Sequence, residues 1–408
     1  MNGAWHVHAA GWMRIAWALD EDLRQVQAAL AGRARWTALP RARIVQAAWP
    51  AAVTAIPSAA LRGKIVVCQA DNPPAFYLGT DEFARAAAVV NLWVARSREA
   101  LRQFELLGLP AVLAPYAVDA GVFRPLPDRE GIRRRLGISQ GDFVIGNFHR
   151  DSEGADLRRP KRQKGPDILR AIARHAAGHV PSLTVLLAGP RRHWLASALK
   201  ADGIRTVFGG PEPGRDDDYR RNIVPRARLN ELYQAMDCCV ISSRWEGGPY
   251  AALEALYAGR PVISTPVGQA RDVLPRECLF GSVEEAAGLL VRQARSGALD
   301  APCAEASARV RVSHGREALG AALLGAYGDF PPGPVSWLAA VRSLGAARGG
   351  RVWRGEEAVH PEVARWSAAV ASRSVQGIGR PGLIEFPMDG DLTALLETAA
   401  AIAAARRS

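Results

Sequence analysis

Much of what would place this chain quickly is missing from it. Its 408 residues hold five cysteines, at 68, 238, 239, 278 and 303, with no C-x-x-C pair. A scattered, odd-numbered set argues against a disulfide frame or a cysteine zinc site and fits buried free thiols in a reducing compartment. Cys238 and Cys239 stand in the apolar run CCVIS, where core packing is their expected role. No apolar run is long enough to cross a membrane. The best uncharged stretch, IVQAAWPAAVTAIPSAAL (44–61), is broken by Pro50 and Pro57 and reads as a buried strand and loop. The start, MNGAWHVHAAGWMR, has no basic residue ahead of an apolar run, so no secretory leader is expected. Also absent are a basic low-complexity tail, zinc-finger spacing and an RNA-binding aromatic motif.

What is present is ordinary in bulk. Hydrophobic residues make up 49% and charged residues 23%, which excludes wholesale disorder, and the length suits two domains. The net charge of +12 has three possible partners: nucleic acid, an anionic membrane surface, or phosphorylated small molecules. Arginine supplies most of it and is spread over the whole chain, as on a solvated surface. Charge therefore does not choose, and a nucleic-acid partner, resting on charge alone, is not expected.

The middle of the chain alternates. FVIGNF (143–148), LTVLLAG (183–189), TVFGG (206–210), CVISS (239–243) and PVIST (261–265) read as strands. Between them, helical spacing covers 165–178, 191–201, 229–236 and 249–259. Short continuous apolar strands suit a parallel sheet covered on both faces, and the alternation implies right-handed βαβ units in a doubly wound domain spanning 127–330. Residues 1–126 show a weaker version: strands at 63–69, 89–95 and 111–116, and a helix over 97–108 capped by Ser97. FPPGP (330–334) marks a break, and 331–408 forms an extension with helical patches, notably DLTALLETAAAIAAARR.

One stretch carries chemistry: SSRWEGGPYAALEALYAGRPVISTPVG, residues 242–268. Pro249 fits the first position of a helix, and Gly247 and Gly248 before it leave backbone amides open to a ligand. A helix N-terminus favours phosphate. Glu246, just before the helix, and Glu254, inside it, would repel phosphate but accept hydrogen bonds from hydroxyls on either side of it. Hydroxyls flanking a diphosphate describe a nucleotide sugar. Taken alone, one E-x7-E pair is better explained by a helix cap and a surface helical residue.

The pair does not stand alone. SSRWEGGPYAALEALYAGRPVISTPVGQARDVL closely resembles the donor-site signature of glycosyltransferase family 4, retaining enzymes of the two-domain GT-B fold. APYAVDAGVFRP (114–125) resembles that family's inter-domain segment, LNELYQAMDCCVISSRWEGGP its run into the donor site, and VIGNFHRDSEGADLRRPKRQKGPDIL a lengthened form of its G-x-x…KG element. The likeness runs over about 60–290. It implies two Rossmann-like doubly wound domains facing across a cleft, with Glu246 on donor-sugar hydroxyls and Glu254 on ribose hydroxyls. The amides of Gly247 and Gly248 would approach the sugar or diphosphate. The family's basic pair on the diphosphate maps to Arg150 and Lys164, with Lys161 as a rival. By its place after a strand end in GPRRHW, Arg191 or Arg192 could also face the donor, with surface placement the alternative. The donor would be a UDP- or GDP-sugar, with no permanent cofactor and no metal.

Other signals are weaker. Asp216-x-Asp218 has the spacing of a divalent-ion site but lies among arginines, so a solvated loop is expected. CQADNPP (68–74) ends a strand, which puts Asp71 and Asn72 on the acceptor side. The histidine many family members carry there is absent, and the glycine-rich first loop is reduced to Gly11. His6 and His8 come near the cleft only if WHVHAAG forms the first strand. The expectation is a retaining glycosyltransferase acting on a glycan, lipid-linked or small-molecule acceptor in the cytoplasm, with peripheral contact to an anionic membrane left open. Two alternatives stand beside it: another GT-B chemistry such as a nucleotide-sugar epimerase, and a non-catalytic sugar-nucleotide scaffold.

Overall fold

The computed structural model describes residues 4–13, 18–153, 156–328, 360–374 and 392–407. The chain forms two compact units. Of the described residues, the first takes those up to 117 and those from 316 onward, the second those of 118–315.

The first unit is built on a six-stranded sheet of Trp5–Ala10 (β1), Ala34–Trp36 (β2), Ile44–Ala47 (β3), Ile65–Gln69 (β4), Leu92–Ala95 (β5) and Ala111–Leu113 (β6). All its pairings are parallel, in the order β2-β1-β3-β4-β5-β6. WHVHAA thus is the first strand. β3 and β4 are buried along their whole length, the condition that makes a strand read as an unbroken apolar run. Ser97 caps the helix Arg98–Leu106 through the amide of Ala100 at 3.1 Å, as its position suggested.

The second unit carries Phe143–Asn147 (β7), the short antiparallel hairpin Ser152–Glu153 (β8) and Asp156–Pro160 (β9), Leu183–Leu187 (β10), Arg205–Phe208 (β11), Cys238–Ile241 (β12) and Val262–Ser264 (β13). Its main sheet is parallel in the order β11-β10-β7-β12-β13. Each sheet therefore reverses its direction of growth once: between β1 and β3 in the first, between β7 and β12 in the second. Helices separate at such a reversal, leaving a crevice outside the carboxyl ends of the strands.

The divisions differ from those expected at 126/127 and 330/331. The helix Arg316–Gly328 returns to the first unit, burying Leu319, Leu323 and Tyr327 in one cluster with Val7, Val26, Ile44, Ile65, Val67 and Val94. Apolar surface in a helix settles where a sheet face needs covering, and sequence proximity does not constrain that. Part of the expected extension packs there too. The helices Pro361–Ser374 and Leu392–Arg407 meet the short helix Pro74–Tyr77 and its neighbours. Ser367 Oγ accepts from the Gly79 amide at 3.1 Å, and the Arg406 guanidinium lies 3.6 Å from the centre of the Phe76 ring. All five cysteines are buried and unbridged. No helix among the described residues is long and apolar enough to span a membrane.

Candidate functional site

The second unit's switch point gathers four segments: the loop after β7, the turn Arg162–Lys164, the loop after β12 and the start of the helix Tyr250–Tyr257. Glycine geometry fixes two of them. Gly165 has φ +56°, and a Cβ on it would lie 1.8 Å from the Ser242 carbonyl oxygen, so only glycine lets the Lys164–Gly165 pair lie against the end of β12. Ser242 Oγ donates to the carbonyl of Gly165 at 2.9 Å, and Arg244 holds Asp167 through two bonds of 2.8 and 2.6 Å. Gly268 does the same from beneath: at φ +45°, its Cβ would stand 2.3 Å from the Glu246 carbonyl oxygen.

This clamp brings Lys164 Nζ to 2.5 Å from Glu246 Oε1, which also accepts from Ser243 Oγ at 2.8 Å. Burial pushes the Glu246 carboxyl up, but Lys164 and these hydrogen bonds outweigh it and hold it below its ordinary value. Glu246 is thus a buried, charged acceptor. Of the two rival lysines, Lys164 is the one whose ammonium meets Glu246. Lys161 opens the turn, its amide donating to the Asp151 carbonyl at 2.6 Å. Arg150 is half-buried at the same strand end.

Glu254 lies one and a half turns further along, buried on the inner side of its helix. Its Oε2 accepts from Tyr233 at 2.9 Å and its Oε1 lies 3.4 Å from Arg226. Tyr233 and Arg226, both on the helix Arg226–Ala235, were not singled out in the sequence; nothing local marks them. Gly247 and Gly248 are buried, the carbonyl of Gly247 accepting from the Gln269 amide at 3.2 Å. Pro249 is the residue before the helix, not its first position, because its ψ of 103° is extended.

Arg191 and the acidic run come together. Arg191, at φ +58°, grips Asp217 with bonds of 3.1 and 2.6 Å, and its amide donates to Asp218 at 2.8 Å. The hydrogen bond to Asp217 raises the Arg191 guanidinium and lowers the Asp217 carboxyl. The run is therefore not simply solvated: Asp218 is only 3% exposed, because it closes this loop onto the end of β10. Among the described residues no cluster of three metal-ligating side chains exists. Arg192 is wholly buried, its Nη2 donating to Asn147 Oδ1 at 2.9 Å and its Nε 3.2 Å from Asp151 Oδ2. His149, beside it, was passed over in the sequence, although it follows a strand end.

The first unit's switch point is different. A pocket of about 340 Å³ opens between the end of β1 and the segment after β3, lined by His8, Gly11, Trp12, Met13, Trp49 and Ile56 among others. Gly11, at φ +97°, is required there: a Cβ would lie 2.8 Å from that of Ala52. His8 thus lines a pocket, its Nδ1 3.1 Å from the Thr37 carbonyl. Asp71 and Asn72 follow β4 but turn inward on their own loop: Asp71 accepts from the Tyr77 hydroxyl and from Asn72 Nδ2.

Two parallel doubly wound units of this kind define the GT-B fold. Residues 157–301 match the family described as Glycosyl transferases group 1. A D-inositol 3-phosphate glycosyltransferase of Segniliparus rotundus is 29% identical over 157 residues, 38% of this chain and 32% of that protein. The lipopolysaccharide core biosynthesis mannosyltransferase LpsB of Rhizobium meliloti is 25% identical over 213 residues, 51% of this chain and 54% of that one. The matches cover 32% to 54% of the length of these curated relatives. Among solved structures, Anabaena HepE in complex with UDP and glucose aligns with a TM-score of 0.63 at 15% identity, over 80% of this chain and 100% of that one. Sucrose-phosphate synthase from Thermosynechococcus elongatus gives 0.56 at 16% identity, over 76% and 78%. These structures speak for the fold.

Proposed function

We propose that this protein is a retaining glycosyltransferase that moves a sugar from a nucleotide-diphosphate sugar to an acceptor hydroxyl. The observation that carries the reading is the Lys164–Glu246 pair, 2.5 Å apart with its carboxylate buried, at the switch point of the second sheet. An ammonium beside a charged carboxylate offers one phosphate contact and one hydroxyl acceptor side by side, which matches the junction between diphosphate and sugar. Glu246 would hold the sugar hydroxyls, and Lys164 and Arg150 the departing diphosphate. Glu254, held by Tyr233 and Arg226, would take the ribose hydroxyls. The amides of Gly247 and Gly248 would approach the diphosphate, with Lys161 and Arg191 at its edge.

In the proposed reaction the bond from the anomeric carbon to the phosphate oxygen breaks while the acceptor oxygen bonds that carbon from the same face. The acceptor proton passes to the departing phosphate, so no protein nucleophile is assigned. Because HepE is crystallised with UDP and with UDP-glucose, a UDP-sugar is the first donor to try. The acceptor side falls to the Trp12–Trp49 pocket with Gly11, and to Asp71 and Asn72. A cytoplasmic site of action, with contact to an anionic membrane, belongs to the same proposal.

The test is a melting-temperature screen of wild type and Glu254→Gln against UDP, GDP, ADP, dTDP and their sugars. A ligand that binds only the folded state must raise the melting temperature. Stabilisation of wild type by one nucleotide, lost in the variant, supports the donor site. No shift at millimolar concentration would overturn the donor site. The anomeric configuration of the product, read by proton NMR, then tests retention.

A further inference from the structure

His149 stands two residues past β7, half-buried, and its ring makes no hydrogen bond among the described residues. Nδ1 is walled in without a partner. The His149 amide leans on Asn147 Oδ1 at 3.4 Å, and the same oxygen accepts from the buried Arg192 at 2.9 Å. The charged groups that act on the ring come from three other segments: Lys164 in the turn, Glu246 after β12, and Arg192 after β10. An unbonded imidazole beside the ammonium and carboxylate of a candidate donor site calls for an occupant, because a buried polar group left unpaired is costly.

The ring is uncharged. Burial first, then Lys164, lower its pKa to about 3, against the pull of Glu246 and with a smaller push from Arg192. A neutral imidazole carries one N–H. On Nδ1 that hydrogen would be a buried, unpaired donor close to two cations. On Nε2, which unlike Nδ1 is not walled in, it stays open to a ligand. Nε2–H then offers a donor without adding a third charge to the repulsion between Lys164 and Arg192. A phosphate oxygen, which can only accept, suits it better than a hydroxyl, which Glu246 already serves.

We infer that His149 is a contact of the donor's diphosphate, giving a hydrogen bond from Nε2–H to a phosphate oxygen. The inference rests on the donor-site reading above. Its test compares wild type with His149→Gln, His149→Asn and His149→Phe, titrated with UDP by calorimetry below each variant's melting temperature. A glutamine amide reaches where Nε2 lies and an asparagine amide where Nδ1 lies. Asn and Phe are expected to weaken UDP about tenfold, and Gln to stay within about threefold of wild type. Phe binding as tightly as wild type, or Asn rescuing where Gln does not, would overturn the inference and leave a structural histidine. Wild type that binds neither UDP nor GDP would instead overturn the donor-site reading. A second readout uses UDP-glucose, whose phosphates hold no proton in this range. Its affinity should be flat between about pH 5 and 8, because the ring stays neutral there. A step near the ordinary histidine value that vanishes in His149→Gln would rule out the neutral donor.

Discussion

The two sheets each reverse once, and the two crevices they open differ in chemistry. Between β7 and β12 the walls are charged: Lys164 on Glu246, Arg226 by Glu254, and Arg192 by Asp151. Between β1 and β3 they are apolar, with two tryptophans, a methionine and an isoleucine, and no charged side chain among the described lining residues. A parallel sheet supplies a crevice at its reversal whatever its sequence; the loop residues decide what the crevice can hold. The charged one suits a polyanion, and the apolar one suits a ligand whose surface is mostly carbon.

Removing the charge from the second crevice should have the largest effect. Lys164→Met is expected to lower sugar transfer about 100- to 1000-fold, the loss typical of one preorganised donor to a developing oxyanion. Turnover at saturating donor, followed by nucleotide release, checks it; a loss in KM alone would contradict the assigned role. Next is Glu254→Gln. It keeps the shape but removes a charged acceptor, and nucleotide affinity should fall about 10- to 100-fold by calorimetry.

In the first crevice the prediction concerns shape. Gly11→Ala meets both a positive φ and Ala52 Cβ at 2.8 Å, and should cost about 1–3 kcal/mol in a denaturant melt. Trp49→Ala should raise the KM for acceptor while leaving donor affinity unchanged, which separates the two crevices directly. An equal effect on both would erase the comparison.

A separate effect is a drift with pH. His149 is lowered to about 3 and His314 to about 4, both by burial above all. As pH falls below about 6.5 the unfolded chain takes up protons that the folded histidines refuse, so stability falls toward acid. Glu246, held below its ordinary value, adds a loss of the same sign once pH drops below the usual carboxylate range. Denaturant midpoints from pH 8 to 4 should decline, less steeply in His149→Gln; a rise toward acid would contradict both shifts.

The order of strands and helices, the parallel second sheet and the Ser97 cap were legible in the sequence. Each depends on periodicity or side-chain chemistry within a few residues of itself. The E-G-G-P run and the K-G pair were legible for the same reason. What they do to each other was not: Lys164 and Glu246 are 82 residues apart, and their contact exists because β7 and β12 are neighbours in the sheet. Arginine at 191 and 192 looked alike in sequence. Only the fold turned one to Asp217 and buried the other under Asn147. Likewise FPPGP marked a break at 330, whereas the unit boundary falls at 315, where an apolar helix leaves one sheet to cover the other. Local pattern thus determined which elements form. The pairing of distant segments, and with it burial, charge and pocket, was decided by tertiary packing, because those energies depend on neighbours that short-range pattern does not name.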